Sequence, residues 1–181
     1  AKEAVRGFAG YKAGMTQVVG KNTHKGSPSF GQEVVLPATV VECPPLKVYG
    51  ARIYESNPHG INVKGDILSE KVDKEFLRKV RNFKKKQEEK KDKNESKNSK
   101  NKNSDSSNSK LSFDVIEKIK SDISDIRLLV YTQPKLTGIG KKKPDLTELG
   151  LSGSIEQKLA FAKEKLGNEI KAGDAFNGMQ L

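Results

Sequence analysis

The residues with the most direct chemistry to offer are lysines set beside glycines. Gly10-Tyr11-Lys12-Ala13-Gly14 is one such stretch, and Gly138-Ile139-Gly140-Lys141-Lys142-Lys143 is another. A glycine leaves its peptide N–H uncovered and a lysine supplies charge, so each stretch suits a closely approaching phosphate backbone. Gly10, Gly14 and Gly138 are the candidate positions for close backbone approach, with Lys12, Lys141, Lys142 and Lys143 as the nearby cations. At the first stretch a structural role competes, because glycines inside a strand mark a bulge, a bend or a neighbouring backbone. At the second, Gly140-Lys141 invites comparison with a nucleotide-binding loop. Such a loop needs a glycine five residues before Gly-Lys and a hydroxyl residue after it, and Lys142 fills that last slot. The comparison fails. Three consecutive lysines cannot all face one way, which fits an irregular phosphate surface better than a single ligand.

Other chemistries find less support. Cys43 stands alone, which excludes a disulfide framework and a zinc spacing; it reads as a small buried hydrophobe beside Pro44. His24 and His59 have no Cys, His or carboxylate at ligand spacing and read as loop residues. No triad order and no carboxylate pair stands out, so neither an enzyme, a metal, a cofactor nor a small-molecule substrate is expected. The formal net charge is +11 over 181 residues, the footprint of a polyanion binder. Anionic membrane is the competing partner, but no apolar run approaches the roughly 20 residues of a spanning helix. A reducing, cytoplasmic compartment is expected. Hydrophobic residues make up 34% and charged residues 31%, so the core is modest and some of the chain need not be packed.

The elements that must position these residues follow from periodicity. Phe8 to Val19 reads as a strand with conditions attached, and Gly20 to Phe30 as a turn region that puts Lys21 and Lys25 on a hairpin tip. Gln32 to Cys43 is a second strand, whose Pro37 implies an edge position or a bulge. Leu46 to Tyr54 is a third, carrying Lys47 and placing Arg52 as a rim cation suited to RNA. From Ile67 the period changes: Leu68, Val72, Phe76, Val80 and Phe83 predict an amphipathic helix with Lys71, Lys74, Arg78 and Lys79 on its other face. A Lys/Asn/Ser tract over 84–110 offers nothing apolar to offset ordering entropy and is expected to be disordered. Ser112 begins a short helix through Val115, Ile116 and Ile119, and Ile126 to Gln133 is the best strand in the chain. Leu146 to Leu151 is a short strand. Ser154 and Gln157 form a capping-box pattern for a helix ended by Gly167, with Lys158, Lys163 and Lys165 as its wet side.

Four blocks carry a family resemblance. Phe8-Ala9-Gly10-Tyr11-Lys12-Ala13-Gly14-Met15-Thr16 resembles the opening barrel strand of large-subunit ribosomal protein L3 (uL3), in its archaeal and eukaryotic form. Gly31–Glu42, Pro44–Gly50 and Leu136–Pro144 agree in the family's order, and the resemblance covers nearly the whole chain outside 84–110. It implies an α+β fold: a small β-barrel, of which only the N-terminal strands are present, with an inserted α+β domain. The expected division is 1–63 for the barrel strands, 64–175 for the insertion and 176–181 for the start of the return to the barrel. The barrel-closing strands are expected beyond this sequence, and both ends look cut, as in a fragment of a longer protein.

The function implied is structural: binding 23S-type rRNA in the large subunit, among other large-subunit ribosomal proteins, and supporting assembly near the peptidyl transferase centre. The rRNA-binding set is Lys12, Lys21, Lys25, Lys47, Arg52, Lys141, Lys142 and Lys143. A basic protein-interaction module without specific RNA recognition is the alternative.

Overall fold

The computed structural model describes residues 5–80, 83, 113, 116 and 123–176. Among them the chain is mostly β with few helices, compatible with a small barrel in the α+β class. The expected 84–110 tract, most of the short helix after Ser112 and residues 177–181 lie outside the described residues, although Ile116 is described and buried.

The chain divides into two compact units, Ala9–Cys43 and the remainder. The first is an antiparallel hairpin of β2 (Tyr11–Lys21) and β3 (Glu33–Glu42). With only two strands, each is an edge, which accommodates Pro37 opposite Gln17. Asn22 organises the connecting loop: its amide nitrogen donates to Ser27 and Ser29 Oγ at 3.0 and 2.9 Å, and its backbone exchanges hydrogen bonds with Gly31 and Gln32.

The second unit is a six-stranded sheet. Its path runs β1 (Val5–Arg6), β7 (Leu146–Leu151), β6 (Ile123–Tyr131), β4 (Leu46–Asn57), β5 (Gly60–Leu68), with β8 (Glu169–Ile170) also pairing β4. All these pairings are antiparallel. β4 and β6 are central, and Leu46, Val48, Ile53, Ile126, Leu128 and Val130 are fully buried there. The 63/64 division falls inside β5.

The helix expected from Ile67 is corrected by the structure. Ile67 and Leu68 belong to β5, α1 covers only Lys74–Leu77, and Phe83 is again helical. The apolar stripe is real, but much of it is not helical. Phe76 and Phe83 form a buried cluster with Tyr131, and Val72, Tyr49 and Val80 pack against it. Asp73, at the α1 N-cap position, makes no cap bond; its carboxylate instead accepts from Lys47 Nζ at 2.6 Å and Tyr131 Oη at 3.0 Å.

The later elements fall where local signals place them. α2 (Ile155–Lys165) starts at Ser154 with both arms of the capping box formed to Gln157. Gly167 follows with φ +78°, a conformation that favours glycine, and a Cβ there would stand 2.9 Å from Ser69 Oγ. α2 packs on β6 through buried Leu159 and Ala162. Lys158 is not on the wet side: its side chain is largely buried and donates to Asp125 at 2.6 Å.

Candidate nucleic-acid interface

The hairpin's display of charge depends on one irregularity. By strict alternation, Lys12 and Lys21 would stand on opposite faces of β2, nine residues apart. The register shifts between Lys12 and Gly14, so Lys12 pairs with Val41 and Lys21 with Glu33. Both partners lie on one face of the uninterrupted β3, and directly paired residues share a face. The bulge at Ala13 therefore puts both lysines on the same side, with Met15, Gln17 and Val19 between them on β2 and Val35, Pro37 and Thr39 on β3. Val18, Leu36, Ala38 and Val40 share the opposite face with Gly14 and Gly20. Apolar side chains on both faces are well exposed, Met15 at 65% and Leu36 at 56%, so the hairpin buries no core of its own.

The two glycines of that strand differ. A Cβ on Gly10 would meet Val41 Cγ1 at 2.6 Å, Cys43 Sγ at 2.8 Å and the Glu42 carbonyl at 2.9 Å. Packing within the hairpin unit already requires glycine there. A Cβ built on Gly14 or Gly138 would meet nothing described within 4 Å, so the side-chain face of each is open, although Gly14 itself pairs with Val40 in the ladder. Cys43 is exposed rather than buried. It follows β3 directly.

In the sheet unit, the predicted strand cations are committed to carboxylates. Arg52 grips Asp66 with two parallel bonds, Nε to Oδ1 at 2.7 Å and Nη2 to Oδ2 at 2.8 Å, and its Nη1 also donates to Glu148. Tyr54 Oη donates to the other Glu148 oxygen at 2.6 Å, and the Arg127 guanidinium lies over the Tyr54 ring at 4.5 Å. The bidentate bond to Asp66 raises the Arg52 pKa further, and Glu148 raises that of Tyr54. Lys47 binds Asp73 at 2.6 Å and lies 3.6 Å from Glu169. The hydrogen bond that Lys47 donates to Asp73 outweighs desolvation and raises the Lys47 pKa. Arg52 is thus a locked member of an ionic network on the sheet rather than a free rim cation.

Substitution of Glu148 tests that network. It would strand Arg52 Nη1 and Tyr54 Oη half-buried, as the Arg52 and Glu148 side chains are 29% and 28% exposed. Breaking a buried pair costs about 3–5 kcal/mol, and partial screening reduces this to about 2 kcal/mol. Glu148→Ala is expected to lower Tm by about 4–8 °C, with a smaller loss for Glu148→Gln. An unchanged melting curve for the alanine variant would show that the network adds nothing to stability.

Acid should loosen the same unit. The Lys47 hydrogen bond, aided by Tyr131, holds Asp73 below the usual carboxylate range despite partial burial. Burial alone would raise Asp125, but bonds from Lys158 and Arg127 outweigh it and lower the pKa. Depressed carboxylates contribute stability above their unfolded pKa and lose it as pH falls through the folded value. Thermal melts should therefore be flat between about pH 5 and 7 and fall below about pH 4. A Tm that holds to about pH 2 would contradict this.

The remaining predicted cations lie in loops. Between β6 and β7, a 3₁₀ turn at Pro134–Leu136 leads into Thr137–Lys143. Pro134 and Pro144 are fully buried at its two ends. Thr132 closes the base twice: its N–H donates to the Asp145 carbonyl at 3.0 Å, and its Oγ1 accepts from the Asp145 N–H at 2.9 Å. Lys141, Lys142 and Lys143 are all exposed, and Lys141 pairs with Asp145 at 2.6 Å. Among the described residues, Lys12, Lys21, Lys25, Lys142 and Lys143 have no acidic partner within ion-pair distance, although Glu33 stands across from Lys21 in the register. No group of His, Cys, Asp and Glu that could hold a metal occurs among the described residues, and no described helix is long and apolar enough to cross a membrane.

What the sequence missed is the set of acidic partners. Asp66 sits in a strand whose end reads as helix, and Glu148 lies 96 residues from Arg52. Periodicity within one segment carries no signal for a cross-strand partner that distant.

A strand-rich scaffold with its internal charges paired and its loop lysines displayed fits the ribosomal proteins as a class. The family model of ribosomal protein L3 matches residues 1–181, and the chain belongs to that family. It is 36% identical over 178 residues to the large ribosomal subunit protein uL3 of Archaeoglobus fulgidus, covering 96% of this chain and 46% of the relative. For the uL3 proteins of Methanobrevibacter smithii and Methanosphaera stadtmanae the identities are 37% and 39%, over 97% and 93% of this chain and 46% and 44% of theirs. The chain spans about half the length of the curated relatives it matches.

Proposed function

We propose that this chain is a structural constituent of the large ribosomal subunit that binds 23S-type rRNA. In this reading it supports subunit assembly near the peptidyl transferase centre, beside other large-subunit proteins, on cytoplasmic ribosomes. The observation that carries it is the sorting of cations in a member of this family. Lys47, Arg52 and Lys141 are neutralised in place, while Lys12 and Lys21 share a hairpin face and Lys25, Lys142 and Lys143 stand on loops. Displayed lysines bind RNA mainly by releasing counterions from phosphate. Selectivity then comes from folded RNA shape and unpaired nucleotides rather than from duplex grooves. Gly14 and Gly138 let the backbone approach closely, and Gly10 shapes the strand that carries Lys12. The division into barrel strands (1–63), insertion (64–175) and return (176–181) belongs to the same reading. No catalytic step, cofactor, membrane or small-molecule substrate enters it.

A competition titration tests the proposal. Labelled large-subunit rRNA is bound by the whole chain at about 200 mM salt, where non-specific polyanion contacts are weakened, against excess unrelated RNA. Retained preference for rRNA supports the reading; loss of all preference overturns it for this chain. A protein-interaction module is the second reading, favoured by the exposed apolar side chains of Val18, Leu36 and Val40 on one hairpin face. It predicts binding indifferent to nucleic acid.

A further inference from the structure

The Thr132–Asp145 loop carries a feature that electrostatic binding alone does not use. Leu136 is 62% exposed and Ile139 37% exposed, on a loop whose base is fixed. Two hydrogen bonds between Thr132 and Asp145, the buried Pro134 and Pro144, and the Thr137 Oγ1 bond to the Pro134 carbonyl at 2.7 Å hold that base. Gln133 anchors it further by donating to the Pro45 carbonyl at 2.9 Å. At the tip, nothing described lies within 4 Å of a Cβ built on Gly138 or Gly140. The tip therefore offers two apolar side chains, two bare peptides and the exposed Lys142 and Lys143 on a preformed support.

We infer that this loop docks on unpaired nucleotides, with Leu136 and Ile139 against base or ribose faces and Lys142 and Lys143 on the flanking phosphates. The inference rests on the proposed rRNA binding and names the chemistry of one portion of it. Charge complementarity commits the occupant to RNA: Lys141 already balances Asp145, which leaves the tip net positive. The apolar pair points to unpaired rather than duplex RNA. In an A-form helix the base faces are stacked away, and only phosphates and 2′-hydroxyls are presented to a loop of this size. Unstacked bases expose apolar faces that protein side chains can cover. A fixed base also means that little loop entropy is lost on binding.

The test compares the whole chain with Leu136→Ser/Ile139→Ser and with Lys142→Ala/Lys143→Ala, using a large-subunit rRNA transcript across about 50–300 mM salt. The serine pair is expected to weaken binding about tenfold at every salt concentration with its slope unchanged, since contacts with base faces release no counterions. The lysine pair is expected to reduce the slope by about 1.5. Leu136→Phe/Ile139→Phe should restore or exceed wild-type affinity, because aromatic rings stack on bases. Melting curves of each variant check that the fold is intact, which is the expected result at these exposed positions.

Wild-type binding to rRNA with no loss in the serine pair overturns this inference alone, and leaves the apolar tip to a protein neighbour. Equal competition by a fully paired RNA duplex and by a single strand, for wild type and serine pair alike, also overturns it alone. No rRNA preference in the wild-type chain overturns the parent reading and this one together.

Discussion

Replacing Phe76 by alanine is expected to destabilise the sheet unit by about 4 kcal/mol. Phe76 is completely buried, and its ring centroid lies 4.8 Å from Tyr49, 5.0 Å from Phe83 and 5.1 Å from Tyr131. Removing a buried phenyl ring costs about 3–5 kcal/mol through lost transfer energy and the cavity left behind. Three aromatic neighbours in tilted or edge-on geometry put this site in the upper half of that range. Collapse around the hole is also hindered, because burial and the hydrogen bond to Asp73 fix the Tyr131 hydroxyl and keep its pKa high. Typical domains are stable by about 5–15 kcal/mol, so the loss is a large fraction of the whole. Urea denaturation should show a shifted midpoint at constant slope, and Tm should drop by about 8–16 °C. Phe76→Leu keeps most of the volume and should lose well under half as much. A cost below about 1 kcal/mol for the alanine variant would show that the cluster lies outside the cooperative core.

The second large effect is on RNA binding. Replacing Lys12, Lys21, Lys25, Lys142 and Lys143 together by alanine should lower rRNA affinity on the order of a thousandfold at about 100 mM salt. Each direct phosphate contact contributes about 0.7–0.9 to the salt slope, so five lost contacts flatten it by about 4. These lysines are exposed and unpaired among the described residues, so the fold should be unaffected. Lys47→Ala and Arg52→Ala should behave the other way round. Their charges are matched by Asp73, Glu169, Asp66 and Glu148, so stability falls and the slope changes little. Filter binding across a salt series, with a melt of each variant, separates the two outcomes. An unchanged slope in the fivefold variant would remove these lysines from the interface.

The contrast between the two sets of cations shows what a sequence can and cannot say about such a surface. Lys141, Lys142 and Lys143 look equivalent in the chain, yet the pairing with Asp145 singles out the first. Arg52 reads as a rim cation from its own strand. It becomes a network member only when β5 and β7 supply Asp66 and Glu148. Lys158 reads as wet because its helix is amphipathic, but Asp125 on β6 draws it in.

Features that depend on neighbours along the chain were legible in the order of residues. The strands at Glu33–Glu42 and Leu146–Leu151, the capping box of Ser154 and Gln157, and the glycine end at Gly167 are set by local propensity, hydrogen bonding and backbone freedom. The four ordered blocks also suffice for family membership. Features that depend on distant strands emerged only from the folded chain. The helical period from Ile67 gave way because β4 recruits Ile67 and Leu68 into a ladder, and backbone pairing outweighs a short amphipathic pattern. A single bulged residue at Ala13 put Lys12 and Lys21 on one face, since the side-chain period in a strand is 2 and one insertion inverts it. Charge can be counted in a sequence, but whether a charge is displayed or neutralised depends on which strands meet across the sheet.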